Sequence, residues 1–266
     1  MNYLILIYIL SAALLSVLLF VAWRFWKLTS EKADRQSKKL KMQMTSNIAH
    51  ELRTPVTSIR GYLETLLACP DLPAEKKHAF LERAYNQTLR LSELISDMSL
   101  ITKIEESPEK LAKEDVDLCD VAAEVFDEFA ERIEEKKINI ENLLKPGTIV
   151  KGNRTLVYAI IRNLVENSLK YAGDKVTLHL ECYSSIDKLY YFTYYDTGNG
   201  VPAEHLERIF ERFYRVSEGR SRDDGGSGLG LSIVRNSVVF HGGEIKVMNR
   251  HYGGLQFFFT LRRKQD

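Results

Sequence analysis

The sequence predicts an α-helical hairpin that pairs with a second copy into a four-helix bundle, then an α/β two-layer sandwich, carried behind one N-terminal transmembrane helix. Three observations predict this. Residues 1–23 contain no Asp, Glu, Lys or Arg, so all 37 basic and all 36 acidic residues of the 266-residue chain lie downstream. Apolar residues then recur at helical spacing over 48–66 and again over 81–101. From Ile138 onward, alternating strand-like runs are interleaved with helical ones.

Taken in order, Tyr3 to Trp23 gives 21 uncharged residues, about 31 Å of helix and long enough for a bilayer core. A cleaved leader would want a basic start and a small-residue cleavage site. Trp23, Arg24, Phe25, Trp26 and Lys27 stand there instead. From Arg24 to Lys41 seven basic residues face only Glu31 and Asp34. The positive-inside rule therefore predicts a single-pass protein of the cell membrane, its N-terminus outside and its body cytoplasmic. Cys69, Cys119 and Cys182 are widely spaced with no CxxC, as expected of reduced thiols. A net charge of +1 argues against nucleic acid as a partner.

The boundaries follow from these shifts: an anchor over 1–26, a juxtamembrane helical linker over 27–45 with a weak heptad in Ala33, Leu40 and Met44, and a hairpin over 46–105. Its first stripe is Ile48, Leu52, Pro55, Ile59, Tyr62 or Leu63, and Leu66, and Pro70 and Pro73 mark the turn. The second stripe is Leu81, Ala84, Thr88, Leu91, Ile95, Met98 and Ile101. Two helices cannot enclose a core alone, which predicts the homodimer. Glu105 to Glu135 carries 13 acidic and three basic residues, read as a linker over 106–117 and the solvated face of a helix over 120–135. The remaining domain, 118–266, should hold a helix at 153–172, strands VTLHLECY and KLYYFTYYD, a Gly-rich stretch, a helix at 228–240, and strands EIKVMN and LQFFFTLR.

Five motifs point to chemistry. In SNIAHELRTP, Leu52, Ile59 and Leu66 lie within about 40° of Ile48 on a helical wheel whereas His50 falls about 200° away, toward solvent. An exposed imidazole beside Glu51 is free to act as a nucleophile: the carboxylate takes the Nδ1 proton or fixes the tautomer, and Nε2 attacks. HExxH would mean zinc, but position 54 is Thr. Next, Asn163, Asn167, Lys170 and Tyr171 share one polar helix face, with amides and a lysine suited to a cation and phosphates. Asp196-Thr-Gly198-Asn-Gly200 ends a strand, and its carboxylate can accept from an exocyclic amine. Gly225-Gly226-Ser227-Gly228-Leu229-Gly230 opens a helix whose free N–H groups suit phosphates, without the spacing of a P-loop or a dinucleotide fold. Ile209 to Arg215 precedes it with packed aromatics, and Arg215 to Asp224 reads as a lid.

His50-Glu51-Leu52-Arg53-Thr54-Pro55 resembles the H box of membrane sensor histidine kinases of two-component systems, and the other motifs resemble that family's N, G1, F and G2 boxes in its order. The resemblance implies a dimerisation and phosphoacceptor hairpin joined to a GHKL-type ATP-binding domain. It implies His50 as phosphoacceptor with Glu51 as base, ATP and Mg²⁺ as cofactors, and the receiver domain of a response regulator as partner. Asn167 would hold Mg²⁺, Asn163 and Lys170 would approach the phosphates, and Tyr171 would pack on adenine. Asp196, Gly198 and Gly200 would receive the base, and Phe210 with Arg215 would form the F box, Arg215 reaching the terminal phosphate. Gly226, Gly228, Leu229 and Gly230 would cradle the phosphates. Glu51 to Thr54 also resembles an E-x-x-T pattern used to dephosphorylate the regulator.

Two other readings compete. A gyrase- or chaperone-like ATPase wants a carboxylate at position 163 and has no use for His50, while a non-catalytic scaffold that regulates a response regulator wants a missing motif residue. Under the predicted orientation only Met1 and Asn2 lie outside, so input is expected through a membrane sensor protein packed on the span, where Ala12 and Ser16 offer small residues, or through the juxtamembrane helix.

Overall fold

The computed structural model describes Phe20, residues 23–27, 45–216 and 226–264. Most of the expected span, the juxtamembrane heptad and most of the expected lid lie outside the described residues. Among the described residues no helix is long and apolar enough to cross a membrane. The chain divides into two units, residues 1–54 and 55–266.

Helix α1 covers residues 45–68, and a turn through Pro70 leads to α2, Ala74–Glu106. Pro73 stands immediately before α2, where a fixed φ and a missing N–H are harmless. Within a single chain the predicted α2 stripe is covered only in part. Ala84, Leu94 and Ile101 are the buried residues, while Leu81, Thr88 and Ile95 are exposed. Periodicity identifies residues that share a side of a helix; which side is covered depends on the neighbours. Tyr62 meets Phe80 across the hairpin at 5.9 Å between rings, and the lower part of α2 packs on a helix of the following domain, α6 (Gly230–Phe240).

A 3₁₀ turn, Pro108–Lys110, ends the hairpin. Strand β1, Glu114–Asp117, pairs antiparallel with β3, Ile149–Gly152, as a small separate sheet that the sequence reading missed. The last residues of the expected linker thus belong to the following domain's fold. The single acidic helix expected over 120–135 is two helices, α3 (Leu118–Glu128) and α4 (Ala130–Glu135), because Phe129 leaves helical geometry to bury its ring. Asp117 caps α3: its Oδ1 accepts from the Cys119 N–H at 2.9 Å, and Oδ2 from the Gly147 N–H at 2.7 Å.

The main sheet has the order β2-β4-β5-β7-β6, formed by Asn139–Asn142, Thr177–Ile186, Leu189–Asp196, Leu255–Arg262 and Ile245–Asn249. Only β2 and β4 run parallel among these pairs. Alternation sets the faces: on β7, Leu255, Phe257, Phe259 and Leu261 are buried while Gln256, Phe258 and Thr260 are partly open. The buried face meets α3, α5 (Arg154–Tyr171) and α6, giving the expected two layers. Phe192 stacks on Phe259 at 5.0 Å in that core, each ring contributing about 2 to 3 kcal/mol by leaving water. Asn153 caps α5, accepting from the Leu156 N–H at 3.2 Å, and α5 then carries the polar motif face along the edge of the core.

Candidate functional site

On α1 the His50 side chain is 68% exposed, and its Nδ1 lies 3.8 Å from Glu51 Oε1. Thr54, one turn on, is exposed and donates its hydroxyl to the His50 carbonyl at 3.2 Å. These three lie in the first unit and the motifs below lie in the second.

Three of those motifs meet along the C-terminal half of α5. The strand end bearing Asp196 lies against the C-terminal turn of α5: a Cβ on Gly198 would stand 2.4 Å from the Ala172 carbonyl oxygen. The G2 segment lies along the same helix, since a Cβ on Gly230 would stand 2.6 Å from Asn163 Oδ1, and one on Gly226 2.5 Å from the Tyr171 hydroxyl. Helix α6 begins at Gly230 with no side-chain hydrogen bond from its N-cap, Leu229, which is fully buried. Its first-turn N–H groups are the donors such a terminus offers an anion. Gly228 has φ +70, which glycine adopts without strain, and its carbonyl accepts from the Phe213 N–H at 2.8 Å. Phe213 itself sits at φ +62, a strained conformation for a bulky residue that this bond holds in place. Phe210 packs edge-on against Phe257 at 6.3 Å, and Arg215 is half-buried two residues past Phe213. Gly200, with φ +69, turns the chain after Asp196.

Along α5 the polar groups are ordered by charge. Lys170 Nζ lies 2.7 Å from Glu166 Oε1, and Arg162 lies 3.1 Å from Glu166 Oε2. Burial pushes the Glu166 carboxyl up, but Lys170, Arg162 and Arg132 together outweigh it and hold the group below its usual range. The hairpin reaches this ladder, because burial and then the charge of Glu166 raise Asp97 of α2 to about 6. Asn163 donates its amide to the Ala159 carbonyl at 2.8 Å. Asn167, half-buried, has no side-chain hydrogen-bond partner among the described residues.

Asp196 is the most enclosed acidic group of the site, 3% exposed. Oδ1 accepts from the N–H groups of Gly198 at 2.9 Å and Leu255 at 3.4 Å, and Oδ2 from the Ser168 hydroxyl at 3.2 Å. Burial raises the carboxyl above its usual range, against the pull of those donors and of Arg250. The Arg250 guanidinium carbon lies 3.8 Å from the Tyr195 ring centroid, and Arg250 donates to the Asp196 carbonyl, tying the β6–β7 turn to the end of β5. Sequence reasoning missed Glu166, Ser168, Tyr194 and Arg250. Alternation along KLYYFTYYD puts Tyr194 on the same side as Phe192 and Asp196, a signal that was available, whereas the position of Arg250 follows only from strand pairing.

The chain is similar to known proteins over both its hairpin and its α/β domain. The profile described as "His Kinase A (phospho-acceptor) domain" matches residues 40–107, and that described as "Histidine kinase-, DNA gyrase B-, and HSP90-like ATPase" matches residues 152–265. The sensor histidine kinase RppB of Synechocystis sp. is 33% identical over 249 residues, 91% of this chain and 54% of its own length. The sensor histidine kinase WalK of Bacillus subtilis is 30% identical over 89% of this chain and 38% of its own. Histidine kinase ThkA, solved in complex with response regulator protein TrrA, shares 25% identity and a TM-score of 0.66, covering 90% of this chain and 66% of that one. The chain belongs to the sensor histidine kinases of two-component systems. It spans about half, or less, of the length of the curated relatives named here.

Proposed function

We propose that the chain is an ATP-dependent protein histidine kinase that phosphorylates His50 and passes the phosphoryl group to an aspartate of a response regulator. The observation that carries this is an exposed imidazole with a carboxylate 3.8 Å from Nδ1, in a chain that also holds the Asp196, α5 and α6 cradle. Glu51 holds the proton on Nδ1, so the lone pair of Nε2 forms the P–N bond as the bond from the γ-phosphorus to the ADP oxygen breaks. Glu51 then takes the Nδ1 proton. Asp196 receives the adenine amine, and Tyr171 packs on the base. Lys170, Asn163, Arg215 and the N–H groups at the start of α6 neutralise the phosphates, so that catalysis is positioning and charge compensation. Asn167, with its amide oxygen uncommitted to any described side chain, fits Mg²⁺ as a hard neutral ligand, and the ion when bound supplies charge on the phosphate oxygens.

The kinase works as a homodimer: Val56, Leu63, Leu81, Leu89 and Ile95 are large apolar side chains left exposed on the hairpin, the surface a second copy would bury in a four-helix bundle. Residues 3–23 anchor it in the membrane with the body on the cytoplasmic side, as the basic flank supports. A membrane sensor protein supplies input through that span or signals act on the juxtamembrane helix. ThkA's complex with its response regulator protein supports a receiver domain as partner. Thr54, exposed one turn beyond His50, supports a regulator phosphatase activity alongside the kinase.

The test is labelling of the full chain by γ-labelled ATP. Wild type takes up acid-labile label and His50→Gln takes up none while still binding nucleotide; undiminished label on His50→Gln would refute the assignment.

A further inference from the structure

A tyrosine and a serine hydroxyl stand buried in a chain behind Asp196. Tyr194 is fully buried, Ser168 is 1% exposed and Asp196 3%. The Tyr194 hydroxyl lies 3.0 Å from Ser168 Oγ, which lies 3.2 Å from Asp196 Oδ2. The two hydroxyls come from different layers, Ser168 from α5 and Tyr194 from β5, so the contact exists only where helix and sheet close on each other.

The polarity of the chain follows from its ends. An ionised carboxylate can only accept, so Ser168 donates to Asp196, and the Tyr194 hydroxyl donates to the serine oxygen. A serine inside a helix ordinarily has a competing acceptor in the carbonyl one turn back. The donor from Tyr194 arrives on the oxygen and favours the rotamer that sends the serine hydrogen to Asp196. A carboxylate has about four acceptor positions. Two on Oδ1 are taken by the N–H groups of Gly198 and Leu255, and one on Oδ2 by Ser168. One acceptor position is left, on Oδ2, in a fixed direction.

We propose that Ser168 and Tyr194 are positioning residues that hold Asp196 as an oriented acceptor with one open position, and so set the preference for a purine bearing an amino group at C6 over one bearing an oxo group there. This rests on the ATP reading of the site. An exocyclic N–H fills the open position, whereas a 6-oxo group sets an oxygen against a carboxylate oxygen with no hydrogen between them. A site built to receive a donor rejects the analogue that lacks one far more strongly than a site that merely fits it. Without the serine hydroxyl the carboxylate is held at Oδ1 alone and Oδ2 has two open positions in place of one oriented one, so the rejection weakens.

The experiment compares ATP with inosine triphosphate on the full chain, by displacement of a fluorescent ATP analogue, in wild type, Ser168→Ala and Tyr194→Phe. Both substitutions remove one hydroxyl and leave the packing volume nearly unchanged, and the readout is the ratio of the two affinities, which a general loosening of the fold does not move. The ATP-to-ITP preference falls about tenfold in Ser168→Ala, the factor carried by one hydrogen bond to a charged group, and about threefold in Tyr194→Phe. A ratio held at the wild-type value in either variant overturns the relay, as does equal weakening of both nucleotides. A wild type that prefers ATP while the variants keep its ratio overturns this inference alone; a wild type from which neither nucleotide displaces the analogue overturns the ATP reading and this inference with it.

Discussion

Gly198 is where the base end of the site is most sensitive to a single methyl group. A Cβ there would stand 2.4 Å from the Ala172 carbonyl oxygen, 2.6 Å from its Cα and 2.7 Å from its Cβ. None of these atoms can rotate away, so Gly198→Ala must separate the end of β5 from the last turn of α5 by about 1 Å, an overpacking cost of about 1 to 3 kcal/mol. The Gly198 N–H that now reaches Asp196 Oδ1 at 2.9 Å moves with it. Weakening a bond to a charged acceptor adds about 1 kcal/mol. For a domain of this size a loss near 3 kcal/mol lowers Tm by about 6 to 12 °C. Because Asp196 is displaced as well, ATP affinity should fall at least about tenfold. Gly61, by contrast, has nothing within 4 Å of its added Cβ and lies in the middle of α1. Gly61→Ala should stabilise by up to about 1 kcal/mol and leave nucleotide affinity alone. Thermal melts and nucleotide titrations on the two variants test the argument together. If Gly198→Ala melts within a degree of wild type and binds ATP equally, the close approach of strand and helix is not what shapes the site.

Other perturbations give separate readouts. Asn167→Ala should abolish the Mg²⁺-dependent part of ATP binding while leaving binding in chelator unchanged; an unaltered Mg²⁺ response in titration would remove Asn167 as the ligand. Thr54→Ala should keep His50 labelling but lengthen the life of phosphorylated regulator, and equal decay rates would refute the phosphatase role. Burial, the largest influence, lowers the His241 imidazole below its usual value, with Lys113 adding to this and the Ser237 carbonyl opposing it. The unfolded chain therefore binds the proton that the folded chain refuses, and stability should decline as pH falls below about 6.5. His241→Gln should flatten that part of a denaturant-midpoint profile against pH; a profile superimposable on wild type would show that another group titrates there.

How much of this was legible in the sequence depended on whether the information was local. The exposure of His50, its neighbour Glu51, and the polar face Asn163, Asn167, Lys170 follow from a 3.6-residue repeat, since residues one turn apart share a side whatever surrounds the helix. The strands of the main sheet announced themselves by alternation, and the glycines of G1 and G2 by the turns they permit. Leu94, outside the predicted α2 stripe, is buried because coverage is also supplied by other parts of the fold, α6 among them, whereas Leu81 and Ile95 stay exposed on the surface proposed for the second copy. The break at Phe129 and the β1–β3 pair were missed because a ring seeking a distant core and a pairing across about 30 residues leave no local pattern. What the sequence by itself determined is therefore the set of chemical groups and the helix or strand side each occupies. Tertiary structure alone decided which of them meet: Tyr194 reaches Ser168, Gly198 presses on Ala172, and Gly230 abuts Asn163, because side-chain contacts between layers depend on register and packing depth, which no single element encodes.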